Sequence, residues 1–233
     1  MKTYKIITER LVIRCYDLMD VSKYMDAVKH SINEFEPWML WVKSHPTDID
    51  GNIEVVRRFR GNFDLDSDNK YAIFDKDNNF IGNIGVHHWN AGKSKGKEIG
   101  YWIDTRYAGK GYATEAVKAL CKVLFEIEKF DKIIIKCKLE NLSSIRIPEK
   151  LEFKVVPFSD STKVLFRMMK GEYIETKLPN FNITAFDAID RKLEPSGIKI
   201  DTEEPKKEHR KDSDLLKMRH YTLDKSRTYK KDK

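Results

Sequence analysis

The first half of the chain has apolar positions at strand spacing and then at helix spacing. A short apolar run at residues 11–13 predicts a first strand. Apolar residues at 21, 24, 25 and 28 share one face of a predicted helix that Asp17 is placed to cap. The apolar positions 53, 56, 59 and 63 indicate a second amphipathic helix. Residues 71–74 and 80–88 then predict an antiparallel hairpin around a polar turn.

The second half predicts a strand, a helix and a second strand in succession. A strand at 98–104 precedes a helix at 113–127 with one apolar face, and residues 132–139 form a β-branched run typical of a buried strand. A shorter helix at 142–151 and strands at 153–156 and 163–169 complete the pattern. This order of elements predicts an α/β fold, of the α+β kind, with a mixed central sheet flanked by helices.

The sequence divides into three segments. Residues 1–170 are expected to form one domain, since 233 residues suffice for a well-buried domain with an appendage. Residues 171–200 are expected to be an extension whose short amphipathic helix begins with a capping box at Thr184 and stops at Pro195. Residues 201–233 are charged and poor in apolar side chains, which predicts a flexible tail.

Composition narrows the class of protein. Apolar residues make up 40% of the chain and charged residues 35%, and no apolar run reaches the length of a membrane span. Residues 1–5 do not resemble a signal peptide, so a cytoplasmic location is expected. Cys15, Cys121 and Cys137 lack Cys-x-x-Cys spacing, which disfavours disulfides and a zinc site. The net charge of +7 is spread along the chain, so nucleic-acid binding is expected only through the charged tail.

The segment most indicative of function lies between the strand at 98–104 and the helix at 113–127. The segment Arg106-Tyr107-Ala108-Gly109-Lys110-Gly111-Tyr112-Ala113 places two glycines at the start of that helix. A helix N-terminus has unpaired N–H donors and the positive end of the macrodipole, so this junction predicts a site for phosphate or pyrophosphate. The spacing matches neither the phosphate loop of NTPases nor the Gly-x-Gly-x-x-Gly of dinucleotide-binding proteins.

Five further segments accompany the loop. They are Thr8 to Arg14, Pro37-Trp38-Met39, Glu98 to Ile103, Asn141-Leu142-Ser143-Ser144, and Glu149 to Phe153. Together with Arg-x-x-Gly-x-Gly-x-Ala, they resemble the RimJ/RimL-type branch of the GNAT superfamily of N-acetyltransferases, over about residues 5–170. The resemblance implies a GNAT-like, mostly antiparallel sheet, acetyl-CoA as co-substrate without a metal, and direct acetyl transfer to a primary amine. A monomer or a homodimer is expected.

The resemblance also implies which residues bind acetyl-CoA. The pyrophosphate is expected at the loop, held by backbone N–H groups and nearby side chains of Arg106, Gly109, Lys110, Gly111, Ala113 and Thr114. The pantetheine arm is expected to lie along the preceding strand, at Trp102, Ile103 and Asp104, and to contact Asn141.

Acetyl transfer needs a fixed donor, a neutral amine and a hydrogen-bond donor for the leaving thiolate. By resemblance, Ser144 lies beside the sulfur, with Asn141, and Glu98 is expected to take the amine proton directly or through water. A neutral imidazole is a better-matched base near pH 7, and adjacent strand residues point to opposite faces. At most one of His87 and His88 is therefore expected to face the acceptor.

Aromatic and acidic side chains suit the binding of an ammonium group. Trp38, Glu36 and His87 are the candidate acceptor residues, with core or surface packing as the alternative role for each.

The sequence departs from the family pattern at two places in the segment after Ser144. Glu152 stands where the family usually has glycine, and Pro148 lies within the predicted helix, which predicts a kink there. The link between residues 158 and 163 is also too short for the acidic turn found in ribosomal-protein acetyltransferases. The kink is expected to affect the placement of Ser144 relative to the thioester, and the missing turn makes either Glu98 more important or the activity weaker.

The identity of the amine is open among three alternatives. Deprotonating an α-amine at pH 7 costs about 1 kcal/mol, whereas a lysine side chain costs about 4.6 kcal/mol. A site with a single weak base therefore suits the α-amine of a protein or peptide N-terminus better than a lysine side chain. A small-molecule amine, such as a polyamine, amino sugar or antibiotic, is the second alternative. A non-catalytic module that binds coenzyme A or the ribosome is the third.

Overall fold

The computed structural model of the protein describes residues 1–89 and 96–195. Its strands are β1 (Lys5–Ile7), β2 (Leu11–Cys15), β3 (Asn69–Asp75), β4 (Phe80–Trp89), β5 (Gly96–Ile103), β6 (Lys132–Lys138), β7 (Lys154–Val156), β8 (Lys163–Met169), β9 (Thr184–Phe186) and β10 (Lys192–Leu193). Its α-helices are α1 (Val21–Phe35), α2 (Ile49–Asp64), α3 (Tyr112–Lys122), α4 (Leu142–Lys150) and α5 (Lys170–Glu175). A π-helical segment, Val123–Ile127, continues α3. Short 3-10 turns lie at Leu18–Asp20, Leu40–Ser44, Thr105–Tyr107 and Leu178–Asn180.

The strands of the described residues form a single sheet in the order β10-β9-β1-β2-β3-β4-β5-β6-β8-β7. Neighbouring strands are antiparallel except for β5 and β6, which run parallel. The single parallel pair follows from the connection through α3, because a crossover helix returns the chain in the same direction.

Helices cover both faces of this sheet, and the strands alternate their side chains between two buried clusters. Ile73 packs in the cluster that includes Val117 and Leu120 of α3. Its neighbour Phe74 packs in the cluster that includes Tyr24 of α1. A sheet buried on both faces requires apolar side chains in both directions, which explains the nearly continuous apolar runs in its central strands.

The parallel pair β5 and β6 separates soon after it begins. The two strands pair over three residues, from Gly96 with Lys132 to Glu98 with Ile134. Beyond that point β5 follows β4, and β6 follows β8. Within the described structure, the facing edges past Glu98 have no ladder between them. N–H and C=O groups along such an open edge are available to an extended ligand.

Most predicted elements are confirmed, including the α/β architecture with a mixed, mostly antiparallel sheet. The predicted hairpin corresponds to β3 and β4, and the predicted strand, helix and strand to β5, α3 and β6. Asp17 caps the 3-10 turn that leads into α1. Helix α4 continues to Lys150 with Pro148 inside it.

The helix predicted from Thr184 to Pro195 is wrong. Residues Thr184–Phe186 form β9, which pairs with β1, and β10 pairs with β9 in turn. The open edge of β1 supplies a hydrogen-bonding partner that outweighs the helical spacing of Phe186, Ile189 and Leu193. The predicted tail at 201–233 lies outside the described residues. No helix in the described part of the chain is long and apolar enough to cross a membrane.

Candidate active site

A cavity of about 630 Å³ lies where β5 and β6 separate. Its walls include residues 99–102 of β5 and residues 135–138 of β6, together with Asn141 and Ser144 at the start of α4. On the side of α1 and α2, the walls include Trp38, Trp41 and His87. One cavity therefore joins the open edge of β5 to a region lined by aromatic side chains.

The structure brings Asn141 and Ser144 together at the N-terminus of α4. The side-chain oxygen of Asn141 accepts hydrogen bonds from the Ser144 N–H at 3.1 Å and from the Ser143 hydroxyl at 2.8 Å. Asn141 is thus the N-cap of the helix. The Ser144 hydroxyl has no hydrogen-bond partner among the described residues and lies on the cavity wall. It is available to a ligand in the cavity.

Tyr101 fixes the position of Ser144 from the neighbouring strand. Its hydroxyl donates to the carbonyl oxygen of Ser144 at 2.9 Å. Burial raises the pKa of Tyr101 well above its ordinary value, so this hydroxyl stays protonated. The carbonyl of Ser144 would normally accept from the N–H four residues later, but residue 148 is proline and has no N–H. Tyr101 replaces that missing donor.

Glu98 lies beside the cavity rather than on its wall. Its two carboxylate oxygens are each 3.2 Å from the ammonium nitrogen of Lys136 on β6. The described cavity wall includes Ile99 and Lys136 but not Glu98. The expected base is therefore an ion-paired carboxylate at the point where β5 and β6 separate.

His87 faces the cavity, and His88 does not. His87 is the antiparallel partner of Glu98 and lines the cavity. His88 is exposed and interacts with the carbonyl oxygen of Asp66 at 3.1 Å and with Lys97. Of these two histidines only His87 lines the cavity, because adjacent strand residues point to opposite faces.

The glycine loop has the backbone conformation that an anion site requires. Gly109 and Gly111 have φ angles of +76° and +82°, in the left-handed region that favours glycine. Gly111 is the N-cap of α3, and no side chain caps the helix. The first N–H groups of α3 therefore lack a capping side chain, and their dipole favours an anion. Gly109, Lys110 and Gly111 are all exposed.

Arg106 lies next to this loop but already binds two carboxylates. It contacts Asp104 through its backbone N–H and its guanidinium, and its Nη2 lies 2.7 Å from Asp26 of α1. Asp104 is fully buried and caps the 3-10 turn at Thr105–Tyr107. These contacts hold the start of the loop against α1. In this structure Arg106 and Asp104 shape the loop, and Ala113 and Thr114 form the first turn of α3.

A network of three side chains fixes the other end of the loop, and the sequence did not single it out. Glu115 of α3 accepts from the Thr8 hydroxyl at 2.6 Å, from the Arg10 backbone at 3.1 Å and from Arg10 Nε at 2.6 Å. Arg10 also donates to the carbonyl oxygen of Lys110 at 3.0 Å. The Thr8-Glu9-Arg10 turn belongs to a segment that resembles the family, and Glu115 lies two residues after the glycine loop pattern; these positions are the signal that could have identified them.

The remaining predicted residues differ in their placement. Trp102 is 8% exposed and packs against Trp41 and Phe35, with ring centroids 6.4 and 5.1 Å away. Trp38 lines the cavity, whereas Glu36 is exposed and 4.0 Å from Lys43. Ile103 is partly buried against the core. Residues 1–89 and 96–195 contain no cluster of three or more His, Cys, Asp or Glu side chains suited to a metal ion.

Comparison with known sequences identifies a matching family. The family described as acetyltransferase (GNAT) domain matches residues 10–154. This range includes the glycine loop and α3, and also the parts of β5, β6 and the Asn141 to Ser144 corner that line the cavity.

Two proteins of Bacillus subtilis (strain 168) are similar in sequence. YdaF, provisionally named a ribosomal N-acetyltransferase, is 24% identical over 149 residues, which cover 63% of this chain and 79% of YdaF. YjcK, provisionally named an N-acetyltransferase, is 23% identical over 144 residues, which cover 61% of this chain and 80% of YjcK.

Two solved structures share the fold. RimL, a ribosomal L7/L12 alpha-N-protein acetyltransferase solved with coenzyme A, superposes with a TM-score of 0.61 at 17% identity, over 70% of this chain and 96% of RimL. RimJ of Mycobacterium smegmatis, solved with a coenzyme A disulfide, superposes with a TM-score of 0.65 at 15% identity, over 76% of this chain and 91% of RimJ.

Proposed function

Since this chain belongs to the acetyltransferase (GNAT) family, we propose that it transfers the acetyl group of acetyl-CoA to the α-amine of a protein or peptide N-terminus. The observation that supports this most strongly is the cavity that connects the open edge of β5 to the aromatic walls near α1. An extended arm along β5 and an amine arriving from the aromatic side would meet inside it.

In this proposal the described residues divide between the two substrates. The main-chain groups of residues 99–103 bind the pantetheine arm, and the loop at Gly109 and Gly111 binds the pyrophosphate. Ser144, which has a free hydroxyl on the cavity wall, hydrogen-bonds or protonates the leaving sulfur. Asn141 holds Ser144 by capping its helix, and its amide nitrogen remains available to the arm.

The free-energy cost of deprotonating the acceptor supports an α-amine. At pH 7 an α-amine is neutral for about 1 kcal/mol, against about 4.6 kcal/mol for a lysine side chain. Cations on the cavity wall, among them Arg58, Lys70 and Lys136, would lower the pKa of either kind of amine, so the α-amine keeps the lower cost. The names of YdaF and RimL, which refer to ribosomal acceptors, agree with a protein substrate.

Three matched peptides test this proposal. The first has a free N-terminal alanine and one internal lysine, the second has the same sequence with a blocked N-terminus, and the third has a free N-terminus and arginine instead of lysine. Acetylation is located by fragment mass spectrometry after incubation with acetyl-CoA. We expect the first and third peptides to be labelled at the N-terminus and the second to remain unlabelled.

The controls separate this acceptor from others. Equal labelling of the first and second peptides, at lysine, would exclude the α-amine. If none of the peptides is labelled but a polyamine or amino sugar releases free thiol from acetyl-CoA, the acceptor is a small molecule. Omission of acetyl-CoA and a Ser144→Ala variant provide the background rates.

A further inference from the structure

His87 lies between two carboxylates on one face of the sheet. On β5 its antiparallel partner is Glu98. On the other side, Asn69 of β3 pairs with Val86, so Asp68 lies opposite His87 just before β3 begins. Side chains of directly opposed residues in antiparallel strands are neighbours on the same face. The topology thus brings Asp68, His87 and Glu98 together from three segments of the chain.

The imidazole of His87 is held in one orientation by Asp68. Its Nδ1 contacts the Asp68 Oδ1, and this carboxylate is 23% exposed. Burial raises the pKa of Asp68, but its hydrogen bond with His87 and the positive charge of Lys70, 3.0 Å away, lower it below the ordinary value of 3.8. Asp68 is therefore a carboxylate at neutral pH and accepts a hydrogen bond from the Nδ1–H of His87. The remaining nitrogen, Nε2, has no hydrogen-bond partner among the described residues.

Two glycines make room for this ring. A Cβ atom added at Gly85 would lie 2.9 Å from His87 Nε2, and one added at Gly100 would lie 3.4 Å from the same atom. Since Gly100 belongs to the cavity wall, the ring extends over the strands toward the open edge of β5. Nε2 is thus directed across β4 and β5 to the side on which an acceptor would enter.

Glu98 is less available than His87. Both of its oxygens face the ammonium of Lys136 at 3.2 Å, whereas His87 Nε2 is unpartnered within the described residues. A carboxylate that already binds an ammonium must exchange it for the acceptor's ammonium before it can remove a proton. A neutral imidazole with a free nitrogen has no such requirement.

From this arrangement we infer that His87 is the general base of acetyl transfer and that Asp68 is its positioning residue. Asp68 accepts a hydrogen bond from Nδ1–H, which leaves the lone pair on Nε2, and its negative charge stabilises the imidazolium formed during the reaction. The inference rests on the acetyl transfer proposed above, but it does not depend on which amine is the acceptor.

His87 accepts one of the two protons that the acceptor ammonium loses during acetyl transfer. His87 Nε2 takes one proton from the acceptor ammonium, and the nitrogen lone pair that this exposes attacks the thioester carbonyl carbon. A C–N bond forms and the C–S bond breaks, with the bonding electrons leaving on sulfur. The second nitrogen proton passes to the thiolate, with Ser144 placed to relay it, and His87 returns its proton to solvent.

The charged groups around His87 come from four elements. They are Asp68 and Lys70 at the start of β3, Glu98 on β5, Lys136 on β6 and Arg58 on α2. Asp68 is the one of these groups in direct contact with the ring. Replacing it with an amide removes the negative charge and leaves the shape of the site nearly unchanged.

Steady-state rates against pH test the inference in four variants. We expect His87→Gln to lower kcat by about 100-fold or more, since general bases contribute about 10²–10⁴-fold. Its KM for acetyl-CoA should stay within about twofold of the unmodified protein. Asp68→Asn should lower kcat by about tenfold and shift the acidic fall in rate to lower pH, because the imidazolium loses its carboxylate. His88→Gln, which changes the neighbouring exposed histidine, should retain the full rate and profile.

Glu98→Gln is the competing arm of this experiment. If it abolishes the acidic fall in rate while His87→Gln keeps more than half of kcat, the base is Glu98 and the inference is wrong. Binding of coenzyme A, measured by calorimetry, should be equal in all four variants, and Asp68→Asn is the informative variant if His87→Gln fails to fold.

A measurement without any acceptor separates this inference from the proposed function. Nitrogen chemical shifts of labelled histidine report which ring nitrogen holds the proton. We expect His87 to carry it on Nδ1, and Asp68→Asn to change that state. A proton found on Nε2 overturns the inference even if an α-amine is acetylated. Conversely, acetylation of a different amine overturns the proposal about the acceptor but not the inference about His87. The rates of the same four variants are then measured with that amine as the acceptor.

Discussion

The hydroxyl of Tyr101 donates to the carbonyl oxygen of Ser144 at 2.9 Å, across the gap between β5 and α4. This carbonyl has no helical partner, because the donor four residues later would be the N–H that Pro148 lacks. The strand expected to bind the coenzyme arm is thereby joined to the helix that presents the Ser144 hydroxyl. A proline that weakens a helix is compensated by a tyrosine from the sheet.

A double-mutant cycle measures this compensation. Tyr101→Phe should destabilise the protein by about 1–2 kcal/mol, because it leaves a partly buried carbonyl without a donor. In a Pro148→Ala background the new N–H can bind Ser144, so the same change should cost about 1 kcal/mol less. Urea unfolding of the four proteins gives the coupling. Equal costs in both backgrounds would show that Tyr101 does not replace the missing donor.

Replacing Glu152 with glycine should stabilise the protein. It follows α4 with a φ of +65°, a conformation that costs a side-chain-bearing residue about 1–2 kcal/mol. Glu152→Gly is therefore expected to raise the free energy of unfolding by about 1 kcal/mol. Glu149→Gly, three residues earlier inside α4, is the matched control and should lower it by about 1 kcal/mol. Thermal denaturation distinguishes the two changes by their opposite signs.

Alanine in the glycine loop should weaken coenzyme binding. Gly109→Ala finds no neighbouring atom within 4 Å, so its effect comes from the φ of +76° alone, at about 1–2 kcal/mol. We expect lower stability and an affinity for coenzyme A reduced by about tenfold, measured by calorimetry. Gly61→Ala is also free of contacts but lies inside α2, where alanine is preferred, and should stabilise the protein without changing affinity.

The contact of Arg10 with Glu115 should affect both stability and KM for acetyl-CoA. Glu115→Gln removes a carboxylate that is 9% exposed and holds Arg10 and Thr8, at a cost of about 2 kcal/mol. Because Arg10 also holds the carbonyl of Lys110, KM for acetyl-CoA should rise while kcat changes less. Arg57→Gln, which breaks an exposed pair with Glu54, should change stability by less than about 0.5 kcal/mol and leave KM unaltered.

The same carboxylate gives a pH-dependent prediction. Burial raises the pKa of Glu115, but its hydrogen bonds with Thr8 and Arg10 outweigh this and lower it below the ordinary 4.5. The unfolded chain therefore binds this proton at a higher pH than the folded protein does. The stabilisation is fully present above pH 4.5 and is lost as the pH falls through the lowered value. Below pH 4.5, the stability difference between the unmodified protein and Glu115→Gln should shrink, which chemical denaturation at several pH values can measure.

Periodic elements could be predicted from the sequence because their apolar spacing reports burial directly. The run at residues 132–139 indicated a buried strand, and β6 lies inside the sheet, between β5 and β8. The prediction of a helix from Thr184 was wrong for a physical reason. The helical spacing of the apolar residues up to Leu193 does not reveal that β1 has an open edge nearby. Short strands at sheet edges take their conformation from the partner rather than from their own pattern.

Contacts between segments that are distant in the chain could not be predicted from the sequence. Arg10 and Glu115 are separated by 105 positions, and nothing in either local pattern indicates that they meet. The contact of Asp68 with His87 likewise depends on the register of β3 against β4. The glycine loop could be recognised as a candidate anion site because its residues lie in one continuous segment, whereas the proposal of a base required three segments to be placed side by side.

Where β5 and β6 separate after three paired residues, the groups exposed along β5 are peptide N–H and C=O groups. Every amino acid except proline supplies both, so most substitutions on β5 leave this binding edge intact. The position of the gap therefore depends on the pairing of the backbone rather than on the identity of most side chains along β5. Proline is the exception, because it would remove an N–H group from this edge.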